Sequence, residues 1–364
     1  MKIKTAVAQS KGEDIKIQDA ILDEPKANEV LVKIVASGIC HTDAAGRDSG
    51  MTPYPVALGH EGAGIVEKIG SSVTTVRPGD HVVLSFPYCG HCQNCLNGHP
   101  ANCFRSGELC FAGHNYDRTH RIHSTDDQDI SVFFGQSSFS TYSVADEHGV
   151  VKVDKNVDLN LLGPLGCGFQ TGAGTVLNFL KPEFASNIVI FGTGAVGLSA
   201  MMAAKIAGCD HIIAVDIHDN RLDMAKNLGA TETINSVTTD AVDAIKAIVP
   251  GGVDYSIDTT GVSSVIKQSV TVLKPSGVNA LLGIAGDVTY NIMNDIMGES
   301  KQVVGVIEGD AIPQLFIPKL IRFYQKGEFP FDKLVRFYKY EDINQAFADS
   351  ADGSVIKPII KIAE

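Results

Sequence analysis

The chain is 364 residues long and carries 42 acidic against 30 basic side chains, a net charge of −12, which argues against a surface built to neutralise nucleic-acid phosphates. With 44% hydrophobic and 20% charged residues it can bury a sizeable core, its length suits about two to three domains, and disorder and collagen-like repetition are excluded. The N-terminal MKIKTAVAQSKGEDI holds no apolar run of signal-peptide length, and the longest apolar stretch, GLSAMMAAKIAG, is short and carries Lys205, so a soluble, cytoplasmic protein without a membrane segment is expected. Over the first 160 residues, short apolar runs alternate with Gly, Pro and Asp: EVLVKIVASG, EGAGIVEKIG, RPGDHVVLS and FSTYSVADE. This pattern predicts a largely β half. After Lys181-Pro182 it changes to strand, glycine turn, Ala-rich helix and strand, in NIVIFG, GAVGLSAMMAAKIAG, HIIAVD and NRLDMAKNLGA, which is a βαβ unit. Strands in ETIN, VDYSIDTT and VNALLGIA, with helices through TDAVDAIKAIVP and SSVIKQSVTVLKP, extend it into a parallel sheet. Beyond about residue 306 the alternation stops. Helices are predicted in PQLFIPKLIRFYQKG and EDINQAFADS, and the final strand VIKPIIKI needs a sheet to join, so the tail is expected to return to the β-rich half.

The run Gly192-Thr193-Gly194-Ala195-Val196-Gly197 follows a predicted strand and opens a predicted helix, the context in which a G-x-G-x-x-G match carries weight. Its first glycine permits the tight turn, the second lets the backbone approach a pyrophosphate, and the third lets helix and strand pack closely. Asp216 closes the next strand 19 residues beyond Gly197, where a carboxylate can accept from a ribose and would repel a 2′-phosphate. The expected coenzyme is therefore NAD. Arg221 is read as a solvated helix charge or a secondary ribose contact.

Four of the eight cysteines, Cys89, Cys92, Cys95 and Cys103, fall within fifteen residues. Four soft ligands on one polar, turn-rich loop can close a tetrahedron around zinc, leave no position for water, and replace a missing local core. A disulfide staple and an iron–sulfur cluster are the alternatives; His91 and His99 read as solvated loop residues. A second set is dispersed: Cys40 in GICHTD, His60 with Glu61 in GHEGAG, and Cys167 in GPLGCGFQTG. Two thiolates and an imidazole would leave zinc a fourth, open position, although single cysteines are often no more than small buried hydrophobes.

With these motifs in hand, the sequence resembles the medium-chain zinc-dependent alcohol dehydrogenases over essentially its whole length. The stretch Gly59-His60-Glu61-Gly62-Ala63-Gly64 with Gly70 and Val73 is similar to the family's zinc signature, and the cysteine lobe, glycine turn and Asp216 follow in its order. CHTD and LGPLGCGFQTGAG most resemble the branch acting on benzyl and other aryl alcohols. The resemblance implies an α/β protein with a β-rich GroES-like catalytic domain over residues 1–168, its structural zinc lobe near 86–106, a Rossmann doubly wound parallel-sheet coenzyme domain over 169–306, and a return over 307–364. It further implies two zinc ions per chain, NAD, a small alcohol or aldehyde substrate bound in the cleft between domains, and a homotetramer or homodimer. Cys40, His60 and Cys167 would hold the catalytic zinc, with Glu61 just behind it or as a transient ligand. Asp43 would orient His60, and Thr42 would take the proton of the alcohol. His41 and Lys357 would contact the coenzyme's phosphates, and Thr171 and Val196 would flank the nicotinamide. Ser85 and Phe86 would lie near the zinc, small Ser85 leaving room for a ring. Ala45 stands where liver-type members carry a relay histidine, so protons are expected to leave through a ribose hydroxyl and water. His114, His120 and His123 suggest either a third metal or, as the better reading, a surface loop. Glutathione-dependent formaldehyde dehydrogenase and a non-catalytic NAD-binding relative are the rival functions.

Overall fold

The computed structural model describes residues 1–362; residues 363 and 364, the end of the expected return segment, lie outside the described residues. The chain divides into two compact units. The first takes Met1–Cys167, Ile312–Arg322 and the chain from Phe331 onward; the second takes Gly168–Ala311 and Phe323–Pro330. The return expected over 307–364 is thus interrupted. Residues 308–310 stay with the second unit because their turn packs on the helix Gly168–Gly174, so closely that a Cβ on Gly309 would lie 2.3 Å from the Gln170 carbonyl oxygen.

In the first unit, five strands close a small barrel: Lys2–Ala8, Lys16–Leu22, Ile122–Ser124, Asp129–Val132 and the two-residue Val56–Ala57. A seven-stranded sheet carries the rest, in the order Val150–Lys152, His81–Leu84, Gly62–Ile69, Glu29–Gly38, Lys357–Lys361 and Val335–Lys339, with Tyr142–Asp146 also paired to Glu29–Gly38. Glu29–Gly38 is almost wholly buried because it packs on core from both faces, which explains its nearly continuous apolar run. The final strand docks antiparallel on it, Ile359 opposite Gly38.

The second unit is a six-stranded, all-parallel sheet in the order Glu232–Asn235, Ile212–Asp216, Ile188–Phe191, Val253–Asp258, Leu273–Leu281, Gln302–Gly305. This is the doubly wound order, with its switch point between the first strand in sequence and the fourth. Two predicted boundaries move: the helix expected through Pro275 ends at Thr271, and its last residues begin the strand Leu273–Leu281. Pro275 cannot continue the helix, and at Pro275-Ser276-Gly277, where Ser276 takes φ 64°, the pairing register shifts between Val253–Leu273 and Tyr255–Val278. No helix among the described residues is long and apolar enough to cross a membrane.

Candidate active site and metal centres

Among the described residues, potential metal ligands gather in two places, and both lie in the first unit. Cys89, Cys92, Cys95 and Cys103 bring their sulfurs within 4.8 Å of one another, with individual separations of 3.9 Å (Cys89 to Cys95), 3.5 Å (Cys92 to Cys95) and 4.0 Å (Cys92 to Cys103). Sulfurs about 2.3 Å from a tetrahedral zinc stand roughly 3.8 Å apart, so the set has the size of a closed zinc site and is too open for a disulfide. Backbone N–H groups of Cys89, Cys92 and Arg105 point at these sulfurs over 3.3–3.4 Å, the donors a thiolate needs. Backbone donors from Phe104 and Cys95 pull the Cys92 thiol down to about 6.

The second gathering is Cys40, His60, Glu61 and Cys167, their ligand atoms again within 4.8 Å of one another. Cys40 caps the helix His41–Ser49, and Asp43 on its first turn is fully buried. The Asp43 carboxylate accepts three hydrogen bonds: Oδ2 from Cys40 N (3.1 Å), Oδ1 from Gly59 N (3.1 Å) and from His60 Nδ1 (2.9 Å). Holding the proton on Nδ1 leaves Nε2 with its lone pair, and His60 Nε2 is buried and makes no hydrogen bond. The imidazole is gripped from its faces too, lying 4.6 Å from the Phe134 ring and edge-on to Phe133 at 5.7 Å. Cys167 donates to Cys40 and, against burial, holds that thiol well below the ordinary cysteine value. A buried nitrogen without a partner beside two thiols, one of them depressed, is a donor set that fits zinc.

Glu61 is fully buried, and burial pushes its carboxyl up to about 7 against the pull of the Lys357 ammonium. The ammonium of Lys357, expected at a coenzyme phosphate, is buried inside the first unit, 2.9 and 3.0 Å from the two Glu61 oxygens and 3.0 Å from the Ile39 carbonyl. Burial works against that cation, yet Glu61 holds it above the ordinary lysine value. Thr42 lies two residues beyond Cys40, its hydroxyl accepting from Cys40 Sγ at 3.8 Å, and His41 between them is exposed. Ser85 and Phe86 lie close to the ligand residues: the Ser85 hydroxyl donates to the carbonyl of Gly166, the neighbour of Cys167 (2.7 Å), and Phe86 takes the alternative of core residue, in one cluster with Phe133, Phe134 and Phe139. His123 lies between Asp129 (2.9 Å) and Asp23 (3.3 Å), and His114 Nδ1 meets the Asn115 carbonyl (2.9 Å); neither joins a metal-sized cluster.

In the second unit, the glycine turn joins Ile188–Phe191 to the helix Ala195–Ala207. Gly192 has φ 90°, a Cβ on Gly197 would lie 1.9 Å from the Gly192 carbonyl oxygen, and a Cβ on Gly194 would meet nothing within 4 Å. The second glycine thus opens onto free space at a helix N-terminus. Asp216 accepts from Thr193 N and Oγ1 (both 2.7 Å) on one oxygen and from Ile217 N (2.7 Å) and His218 N (3.0 Å) on the other. Burial opposes its ionisation, but these donors hold the carboxyl below its usual value. Arg221 lies in the first turn of the following helix, with Nε buried and unpartnered. Thr171, on Gly168–Gly174, donates to Glu308 at 3.4 Å, and Val196 is partly exposed at the start of its helix.

The sequence pattern announces neither Phe134, Gln136 and Glu308 nor the two hydrogen bonds that Thr193 of the glycine run donates to Asp216. The FFGQSSF run gave no periodic signal because Phe134, Gly135 and Ser137 all take positive φ, between 49° and 59°, which no propensity pattern announces.

Residues 26–155 match the model of the alcohol dehydrogenase GroES-like domain, and residues 195–326 that of the zinc-binding dehydrogenase. The crystal structure of benzyl alcohol dehydrogenase from Acinetobacter calcoaceticus superposes with a TM-score of 0.96 at 47% identity, covering 100% of both chains. Geraniol dehydrogenase of Castellaniella defragrans is 40% identical over 98% of this chain and 97% of its own length. A probable S-(hydroxymethyl)glutathione dehydrogenase of Schizosaccharomyces pombe is 36% identical over 98% and 96%. Zinc and a nicotinamide coenzyme are the cofactors that go with these domains. Fold, domain matches and full-length identity agree: the chain belongs to the medium-chain zinc-dependent alcohol dehydrogenases.

Proposed function

We propose that the chain interconverts a primary alcohol, aryl or allylic, and its aldehyde with NAD as the hydride carrier. The observation that carries this is the convergence of Cys40, His60 and Cys167 within 4.8 Å, with a buried His60 Nε2 that no protein group satisfies. Cys40, His60 and Cys167 would hold zinc, which would supply Lewis-acid polarisation of an alcohol or carbonyl oxygen, and a nicotinamide coenzyme would supply the hydride acceptor. The chain's own part is positional. Asp43 fixes the His60 tautomer, Glu61 waits behind the ligands on Lys357, and the Thr42 hydroxyl stands beside Cys40 to accept the alcohol's proton. Cys89, Cys92, Cys95 and Cys103 would hold a second, structural zinc. For the coenzyme, Gly192, Gly194 and Gly197 form the pyrophosphate turn, Asp216 selects NAD by its charge, and Thr171 and Val196 flank the nicotinamide.

Aryl and allylic alcohols are favoured by the benzyl alcohol and geraniol dehydrogenases among the relatives. The likeness to a probable S-(hydroxymethyl)glutathione dehydrogenase supports a second reading, in which the substrate is an anionic thiol adduct. One assay separates them: NADH formation from benzyl alcohol, geraniol, ethanol and hydroxymethylglutathione, each with NAD and NADP. The proposal expects the first two with NAD to give the highest kcat/KM. A preference for hydroxymethylglutathione, or for NADP, overturns it.

A further inference from the structure

His60 lies just before the strand Gly62–Ile69, Ser85 just after the neighbouring strand His81–Leu84, and Cys167 closes the separate helical turn Gly163–Gly166, which packs against Leu84. The strands' ladder runs antiparallel, and its last pair toward the site is Ala63 with Val83. The ladder ends at that pair and does not itself fix how far His60 stands from Cys167. A side chain takes over. Gln136, 2% exposed, inserts its amide where the next rungs would be: Nε2 donates to His60 O (3.0 Å) and to Ser85 O (3.3 Å), and Oε1 accepts from Gly62 N (3.4 Å). Ser85, also 2% exposed, carries the connection onward, its hydroxyl donating to Gly166 O at 2.7 Å, one residue before Cys167. Gly166 is seated so tightly that a Cβ there would lie 2.1 Å from Leu84 O.

The chemistry demanded at position 136 is narrow. It needs two donors for two carbonyls and an acceptor for an N–H on one planar group, which a primary amide offers and a carboxylate or hydroxyl does not. The residue is delivered by the left-handed turn at Phe134, Gly135 and Ser137, and its own carbonyl is held by the Ser143 hydroxyl. Backbone strain next to a buried, fully engaged amide is the arrangement expected where a position is over-determined for function.

We infer that Gln136 and Ser85 are positioning residues, a hydrogen-bonded strut that sets the separation of His60 and Cys167 and so the fit of the metal between them. The inference rests on the reading that Cys40, His60 and Cys167 hold zinc, and it assigns a purpose to Ser85 other than making room for substrate.

The test uses the purified holoprotein and a chromophoric chelator that reports zinc release with time. The four-cysteine lobe serves as an internal reference in the same molecule. Gln136→Met keeps the volume and removes all three amide bonds; Ser85→Ala removes one hydroxyl bond and leaves the backbone, so it tests the strut even where the first variant folds poorly. In each, release from the Cys40–His60–Cys167 site is expected to accelerate about tenfold or more, the size of effect that groups supporting metal ligands typically have. The lobe's release is expected not to change, and the absorption bands of cobalt exchanged into the site should shift. The double variant should be no faster than the faster single one, because both break the same connection. Equal acceleration of both zinc phases, an unchanged rate in Ser85→Ala, or effects that multiply in the double variant would each overturn the strut. A wild-type protein that holds only one zinc per chain overturns the metal reading itself, and the inference with it, before any variant is made.

Discussion

Replacing Asp43 by Asn changes one atom and tests the electrostatic centre of the site. The carboxylate is fully buried and serves three donors, Gly59 N and His60 Nδ1 on Oδ1 and Cys40 N on Oδ2. An amide has a single oxygen. If that oxygen stays with Gly59 and His60, the new NH2 faces the Cys40 N–H, donor against donor. If the amide turns over, the NH2 faces Gly59 N–H and His60, and the ring relieves the clash only by moving its proton to Nε2, the atom the metal needs. Either way at least one charge-assisted hydrogen bond is lost and a buried donor is stranded, which together cost about 2–4 kcal/mol. Ligand affinity falls as well, by roughly tenfold to a hundredfold, since the imidazole loses the group that fixes its tautomer. Urea unfolding of Asp43→Asn should therefore show a lower midpoint at unchanged slope, and zinc analysis after dialysis should give a value approaching one per chain where the parent gives two. A variant within about 0.5 kcal/mol of the parent that keeps both zinc ions would refute the reasoning, because changes of that size are typical of surface positions without such a network.

Three further outcomes follow from the geometry. Asp216→Gly removes a charge and four accepted hydrogen bonds from the glycine turn, so KM should rise for NAD while discrimination against NADP collapses by at least about tenfold; initial rates with both coenzymes measure it, and undiminished discrimination counts against the charge argument. Lys357→Met leaves the Glu61 carboxylate buried without its cation and should destabilise the first unit by about 3–5 kcal/mol in chemical denaturation. Adding Glu61→Gln should restore most of that loss, and a double variant as unstable as the single one contradicts the pairing. The His148 imidazole is raised above its ordinary value chiefly by its hydrogen bond to Asp146, with burial opposing. A raised base stabilises most where both states are protonated, so the advantage is complete below the unfolded value of about 6.5 and fades as pH climbs through the folded one. The melting-temperature gap between the parent and His148→Gln should accordingly be widest near pH 6 and narrow toward alkaline pH; a gap independent of pH removes the ion pair as its cause.

How legible the molecule is from its residues depends on the distance over which each signal acts. The four-cysteine lobe is readable because its ligands are close in sequence and their spacing is itself the geometry. The nucleotide turn is readable because its glycines answer to contacts within one strand, turn and helix. Cys40, His60 and Cys167 are named by resemblance, since no local rule says that three turns of a β-rich unit meet at one point. The Lys357–Glu61 pair has no local signal: its members lie 296 positions apart, and burial on the sheet's central strands brings them together. Phe134 and Gln136 stay hidden for another reason. They belong to a turn held in an uncommon backbone conformation by tertiary hydrogen bonds, among them Ser137 Oγ to the Ala57 carbonyl at 2.7 Å, and such support is invisible until the fold is known. The two-residue strand Val56–Ala57 is equally silent, because closing a barrel there is a property of its neighbours.

The spacing of the two ligand sets has a consequence for biogenesis. Cysteines confined to one short loop can capture an ion while the polypeptide is still emerging, because little chain entropy is lost in drawing them together. The set reaching from Cys40 to Cys167 gains its last buttress, Lys357, only when the final strand has docked. Ribosome-bound or truncated chains should therefore carry the lobe's ion long before they can retain the other, and maturation of the enzyme would be timed by arrival of its C-terminus.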